Sequence, residues 1–197
     1  MSDSWHSFLR RQGAVFEGAS VRRFGNEASA YLDPNDTVFS PVNWMGIARI
    51  SGTDAADFLQ AQLTGDVRDI DRQISKISGY CNPKGRLLAI FRVLRDEDDF
   101  LLLSDSGILP GILQRLQMYV LRKKVDLSIE IARVAISLVG PGANHIVTEL
   151  LGGTAEVTNE VFCKRGMCSI TLGDREKGYL VIAPPEQLIK SWTVIRS

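Results

Sequence analysis

The sequence predicts an α+β protein, an antiparallel sheet domain joined to a ferredoxin-like (split βαβ) domain. Three patterns carry that expectation. Apolar runs at 87–94 and 100–103 flank Asp96-Glu97-Asp98-Asp99, which reads as a β-hairpin with an acidic tip. Leu109, Ile112, Leu113, Leu116, Tyr119 and Val120 recur at helical spacing and give a helix one apolar stripe. From Arg133 onward the order is strand, helix, strand, strand, helix, the larger part of a split βαβ unit.

The elements follow in order. Trp5, Phe8 and Leu9 place a helix at 4–12, and Gly13 stops it. Residues 14–31 loosen into short strand-like pieces punctuated by Gly18, Gly25 and Asn26. Strands are expected at 38–41 and 44–50, then a helix carrying Ala55, Phe58 and Leu59 with Ser51 or Thr53 as its cap. A strand at 75–81 and an Asn82-Pro83-Lys84-Gly85 turn lead into the hairpin. The helix that follows is expected to run to Arg122, so that Arg122, Lys123 and Lys124 meet its C-terminal dipole, before a strand at 125–129. Strands at 133–139, 160–163, 167–172 and 178–182, a helix at 143–151 and a last helix from Pro185 complete the chain. A boundary near 130–133 gives domains 1–131 and 132–197. The second lacks its final strand, which predicts an open sheet edge, an exposed apolar helix face and pairing into a homodimer.

Composition narrows the class. The 197 residues carry 23 basic and 23 acidic side chains and are 45% hydrophobic, proportions of a globular chain. Zero net charge argues against a surface devoted to nucleic acid or anionic membrane. No apolar run approaches the ~20 residues that cross a bilayer, and the N-terminus lacks a secretory pattern, so a cytoplasmic protein is expected. Cys81, Cys163 and Cys168 are odd in number and scattered, which predicts reduced thiols and neither disulfide nor metal site. No Walker loop, Gly-x-Gly-x-x-Gly, Gly-x-Ser-x-Gly or His-Glu-x-x-His is present, and two histidines offer little acid–base chemistry. No catalytic residue is assigned.

Two stretches are distinctive: Gly52-Thr-Asp-Ala-Ala-Asp-Phe-Leu-Gln-Ala-Gln-Leu-Thr-Gly-Asp-Val67, and Gly79-Tyr-Cys-Asn-Pro-Lys-Gly-Arg-Leu-Leu-Ala-Ile-Phe-Arg-Val-Leu-Arg-Asp96 with Leu116-Gln-Met-Tyr-Val-Leu-Arg-Lys-Lys-Val125 beyond it. In order and spacing they resemble the YgfZ family, folate-binding relatives of the glycine-cleavage T-protein, an aminomethyltransferase. The resemblance covers about residues 42–182. It implies a tetrahydrofolate-binding protein tied to iron–sulfur cluster maintenance and tRNA modification, with iron–sulfur or tRNA-modifying enzymes as partners. The family's Lys-Gly-Cys-[Tyr/Phe]-x-Gly-Gln-Glu signature is absent, which suggests a fragment or a truncated gene.

T-proteins carry Gly-Gly-x-x-Asp-Asp in the strand matching 85–95, with an aspartate near the folate. Counted back from Arg95, that pair falls on Ala89 and Ile90, so transferase chemistry is not expected. The alternatives are a T-protein-like enzyme with its acid elsewhere, or an assembly domain without folate.

A folate site needs an apolar or aromatic slot, polar groups for the pterin edge and cations for the glutamate tail. Trp44 stands where the family places a folate-contacting tryptophan, or packs in the core. Asp66 is a ligand candidate or a turn residue, and Tyr80 a ligand candidate or core. Lys84, Arg86 and Arg122, with Lys123 and Lys124, form a cationic rim or solvated charge.

Overall fold

The computed structural model describes residues 3–18, 20–25, 36–173 and 178–195, so the expected pieces at 26–31 and the loop at 174–177 lie outside the described residues. Two compact units are formed, one from Met1–Trp44 with Ile131–Ser197 and one from Met45–Glu130. Each is an α+β layer of antiparallel strands under helices.

The chain starts with α1 (Asp3–Arg11), which buries Trp5, Phe8 and Leu9 on one face. A two-stranded ribbon follows, β1 (Ala14–Glu17) against β2 (Ser20–Phe24). Then comes β3 (Val38–Pro41).

The Met45–Glu130 unit runs β4 (Met45–Ser51), α2 (Ala55–Gln62), β5 (Lys76–Cys81), β6 (Leu87–Asp96), β7 (Asp99–Asp105), α3 (Leu109–Gln117) and β8 (Asp126–Ile129). Its sheet order is β5-β6-β7-β4-β8. Alternate residues face the helices: Ala48, Ile50, Phe91, Val93, Phe100 and Leu102 pack with Phe58, Leu59, Ile112 and Leu116 into one core. Neither Ser51 nor Thr53 caps α2. The N-cap position is Asp54, whose Oδ2 instead accepts the Lys124 amide at 2.7 Å. That contact needs Gly52, with φ at 108°, because a Cβ there would lie 2.1 Å from the Lys124 carbonyl oxygen. Helix α3 ends at Gln117, five residues short of expectation, and turns carry the chain on through Leu121 at φ 50°. Arg122–Lys124 therefore do not end a helix, and the dipole reading of them fails.

The other unit resumes with β9 (Val134–Val139), α4 (Ala143–Leu151), β10 (Val161–Lys164), β11 (Met167–Leu172), β12 (Gly178–Ala183), α5 (Pro185–Lys190) and α6 (Trp192–Ile195). Its sheet order is β10-β11-β12-β9-β3. The strand that the sequence reading finds missing is present: β3 pairs antiparallel with β9 from Val38↔Val139 to Pro41↔Ile136. It occupies the place that β8 takes beside β4 in the other sheet. Both units thus run strand, helix, three-stranded meander, helix, and they differ in whether the closing strand follows or precedes. Pro41 suits an edge strand, where its missing N–H breaks no ladder bond.

The helix face expected to be bare is covered as well. Leu188 and Ile195 are buried in one cluster with Trp5, Phe8 and Leu9, and Trp192 donates from Nε1 to Gln12 Oε1 at 3.0 Å. Helix α1 and strand β3 therefore complete the C-terminal sheet and core, although the sequence reading sets them in the first domain. The open edge invoked for a homodimer is filled at that position.

One cysteine expectation is overturned. Cys163 and Cys168 form a disulfide across β10 and β11, with Cα atoms 4.1 Å apart, while Cys81 is free. Five residues apart in sequence, the two are brought directly opposite each other by the hairpin.

Candidate functional site

The Met45–Glu130 sheet opens at one corner. The β6–β7 ladder begins only at Arg92↔Leu103, so the first half of β6 has no partner on that side. The Ile90 carbonyl is served instead by the Ser104 hydroxyl, which donates to it at 2.9 Å. A groove of about 320 Å³ results, lined by Leu87, Leu88, Ala89, Ile90, Ser104, Asp105 and Ile108. Leu87 is 50% exposed, Ile90 55% and Ile108 42%, three large aliphatic side chains meeting solvent around one hollow. Water gains if a flat apolar body covers them, at about 25 cal/mol per Å².

Asp105 supplies the polar edge. Its Oδ1 accepts the Gly107 amide at 2.7 Å, a turn that fixes the carboxylate at the end of β7. The second oxygen remains an acceptor for a ligand N–H. The sequence offered a signal for this residue, an acid at a strand end followed by Ser106-Gly107, and it was passed over in favour of named motifs. An apolar slot with an acceptor at its edge suits a flat heterocyclic ligand.

The residues singled out from sequence are distributed as follows. Trp44 is 52% exposed in the turn before Met45, whose backbone pairs with Asp105. Lys84 and Arg86 lie in the turn that feeds Leu87 into the groove, and both backbone amides donate to Asn82 Oδ1 at 3.0 Å. Arg122 lies elsewhere, in a second groove of about 650 Å³ lined by Asp54 and residues 119–123. That region adjoins the C-terminal end of β4, where Ser51 pairs with Asp126. Lys84 and Arg86 precede the ten-residue β6 and are not among the residues lining that second groove. The cations thus form two groups, and no single rim.

Tyr80 is 5% exposed within the core, and burial pushes its phenol pKa up. Asp66 is exposed and holds a local turn: Arg68 donates to it from both backbone and side chain, which lowers the carboxyl pKa.

With this geometry the comparisons can be read. No protein-family model matches the chain. The tRNA-modifying protein YgfZ of Colwellia psychrerythraea is 22% identical over 147 residues, 75% of this chain and 45% of that protein. YgfZ of Escherichia fergusonii is 27% identical over 114 residues, 58% of this chain and 35% of its own length. In structure, aminomethyltransferase T of the glycine cleavage system from Bartonella henselae superposes with a TM-score of 0.78 at 18% identity, over 96% of this chain and 55% of that one. The chain is YgfZ-like. Its fold is that of aminomethyltransferase T, and it spans less than half the length of the curated relatives that it matches.

The departure noted in sequence becomes geometric in this YgfZ-like chain. Of the two residues that the sequence count sets against that acidic pair, Ala89 points into the core, 4% exposed, and Ile90 points into the groove. An aliphatic side chain can neither accept a proton nor orient an amine. No helix among the described residues is long and apolar enough to cross a membrane.

Proposed function

We propose that this chain binds a reduced folate in the groove at Leu87, Ile90, Asp105 and Ile108 and does no aminomethyl transfer there. Exposed Ile90 carries the reading, because it makes the slot more apolar and removes the acid. The pterin would lie on the three aliphatic side chains with Asp105 at its N–H edge. Lys84 and Arg86 precede Leu87 in the chain and are suited to the carboxylates of the glutamate tail. Trp44 is offered as a contributor on its exposure and because it directly precedes Met45, the strand partner of Asp105. Asp66, Tyr80 and Arg122 receive no role in this groove. Bound folate would bring a one-carbon carrier. The protein's own part is to hold it, dry and oriented, for a cytoplasmic protein concerned with tRNA modification and iron–sulfur cluster maintenance.

Calorimetric titration with 5-formyltetrahydrofolate tests binding, and an assay with a methylene-amine donor tests chemistry. Binding that Ile90→Arg removes in a folded protein, with no turnover by the parent, is expected. Turnover, or binding that ignores both Ile90→Arg and Asp105→Asn, overturns the reading.

A further inference from the structure

We propose that Cys163 and Cys168 form a reversible dithiol–disulfide site that exchanges with low-molecular-weight thiols through the sulfur of Cys163. The proposal is independent of the folate groove. The two cysteines are a directly opposed pair in a hairpin whose two-residue tip is Arg165-Gly166, both at positive φ (54° and 78°). Such a tip matches the twist of paired strands and fixes their register. Four backbone pairs, from Val161↔Ile170 to Lys164↔Met167, hold that register, and Gln187 Nε2 donates to the Arg165 carbonyl at 3.0 Å. None of these contacts uses sulfur. The hairpin therefore keeps the two thiols facing each other when the bond is open.

The disulfide is also a weak clamp on folding. It encloses only residues 164–167, a short loop with little closure entropy to remove. A bond that adds little to a hairpin already held can open and close without unfolding the sheet. The two residues differ in access: Cys163 is exposed on edge strand β10, whereas Cys168 is 1% exposed on β11. Attack must come at the accessible atom.

The exchange balances in two steps. A small thiolate attacks Sγ of Cys163 and forms a mixed disulfide there. The Sγ–Sγ bond breaks, and the Cys168 sulfur leaves as thiolate and takes up the proton that the incoming thiol gave up. A second small thiol attacks the mixed disulfide, releases the small-molecule disulfide and leaves Cys163 reduced. Closing runs the same steps backward, with the small-molecule disulfide as oxidant. The same attack route makes Cys163 the residue that carries a small thiol as a covalent modification whenever Cys168 cannot resolve it.

The test equilibrates the folded protein in mixtures of reduced and oxidised glutathione, quenches with acid, labels thiols with a maleimide and reads intact and peptide mass. Cys163 and Cys168 should gain and lose their labels together, with far-ultraviolet circular dichroism unchanged. In Cys168→Ser, Cys163 should hold one glutathione, and in Cys163→Ser the buried Cys168 should hold at least tenfold less. The proposal is overturned if the pair stays reduced in oxidised glutathione alone, or if reduced glutathione opens it only after urea unfolds the protein. Equal modification in the two single variants also overturns the assigned point of attack.

Discussion

Arg49 donates twice to one oxygen of Glu130, from Nε at 3.0 Å and from Nη2 at 2.8 Å. The same guanidinium reaches Asp99 at 2.8 Å and Asp96 at 2.9 Å, so it ties β4 to the tip of the β6–β7 hairpin and to the residue after β8. Burial alone would lower its pKa, and the hydrogen bonds it donates to Asp99, Glu130 and Asp96 outweigh it, which keeps Arg49 charged at any accessible pH. Arg49→Met removes a cation that three partly buried carboxylates share. We expect a loss of about 2–4 kcal/mol in urea unfolding, at the lower side of broken buried pairs because the site keeps some solvent. Adding Glu130→Gln should recover part of it. A loss under about 0.5 kcal/mol would class the cluster with ordinary surface pairs.

Tyr80 should set an alkaline limit. Its pKa is raised by burial first and by Tyr119 second, against Arg115. The unfolded chain then ionises at the ordinary value near 10 while the folded one resists. Stability from this group is whole below that value and falls as pH rises through the higher folded pKa. Tyr80→Phe should flatten the fall in Tm between neutral pH and pH above 10. An unchanged alkaline slope would locate the titrating group elsewhere.

Trp44 offers an optical readout of the proposed site. Reduced folate should quench tryptophan emission, and Trp44→Ala should remove most of the quench and weaken binding by about 1–3 kcal/mol, the scale of a lost stacking aromatic. Trp5 and Trp192 remain in their aromatic cluster and supply a constant background. Full quenching with unchanged affinity in the variant would place Trp44 outside the site.

Much of this was legible in the sequence because the signals are local. The hairpin announced itself by two apolar runs and an acidic tip. Pairings between distant segments were not legible. Nothing in Val38-Phe39-Ser40-Pro41 says that its partner is Val134–Val139, a hundred residues on, since a four-residue edge strand carries no address. The opening of the groove depends on where the β6–β7 ladder starts, and the Asp54–Lys124 contact spans 70 residues. Cys163 and Cys168 failed for another reason. A two-residue turn at Arg165-Gly166 brings them opposite each other, and the number and scatter of cysteines do not reveal it.

The N-terminal segment provides the sharpest test of the fold. Phe39 of β3 and Phe8 of α1 stand edge-on to Trp192 at 5.1 and 5.0 Å. Thr37 Oγ1 accepts the amide of Gly142 at 2.7 Å, at the N-terminus of α4. Gly140, with φ at 120°, lets this segment pass, because a Cβ there would lie 2.3 Å from the Asp36 carbonyl oxygen. Gly140→Ala should therefore cost about 2–4 kcal/mol, a clash added to a conformation that L residues resist. Deleting residues 1–41 should do more. It bares the β9 edge and uncovers Leu188, Trp192 and Ile195, so β9 amides should lose protection from hydrogen exchange and the protein should self-associate. Amides of β6 and β7, in the other unit, should keep theirs. If the shortened protein stays monomeric with β9 protected, then β3 is an ornament on a sheet complete without it, and the closing strand must be sought elsewhere.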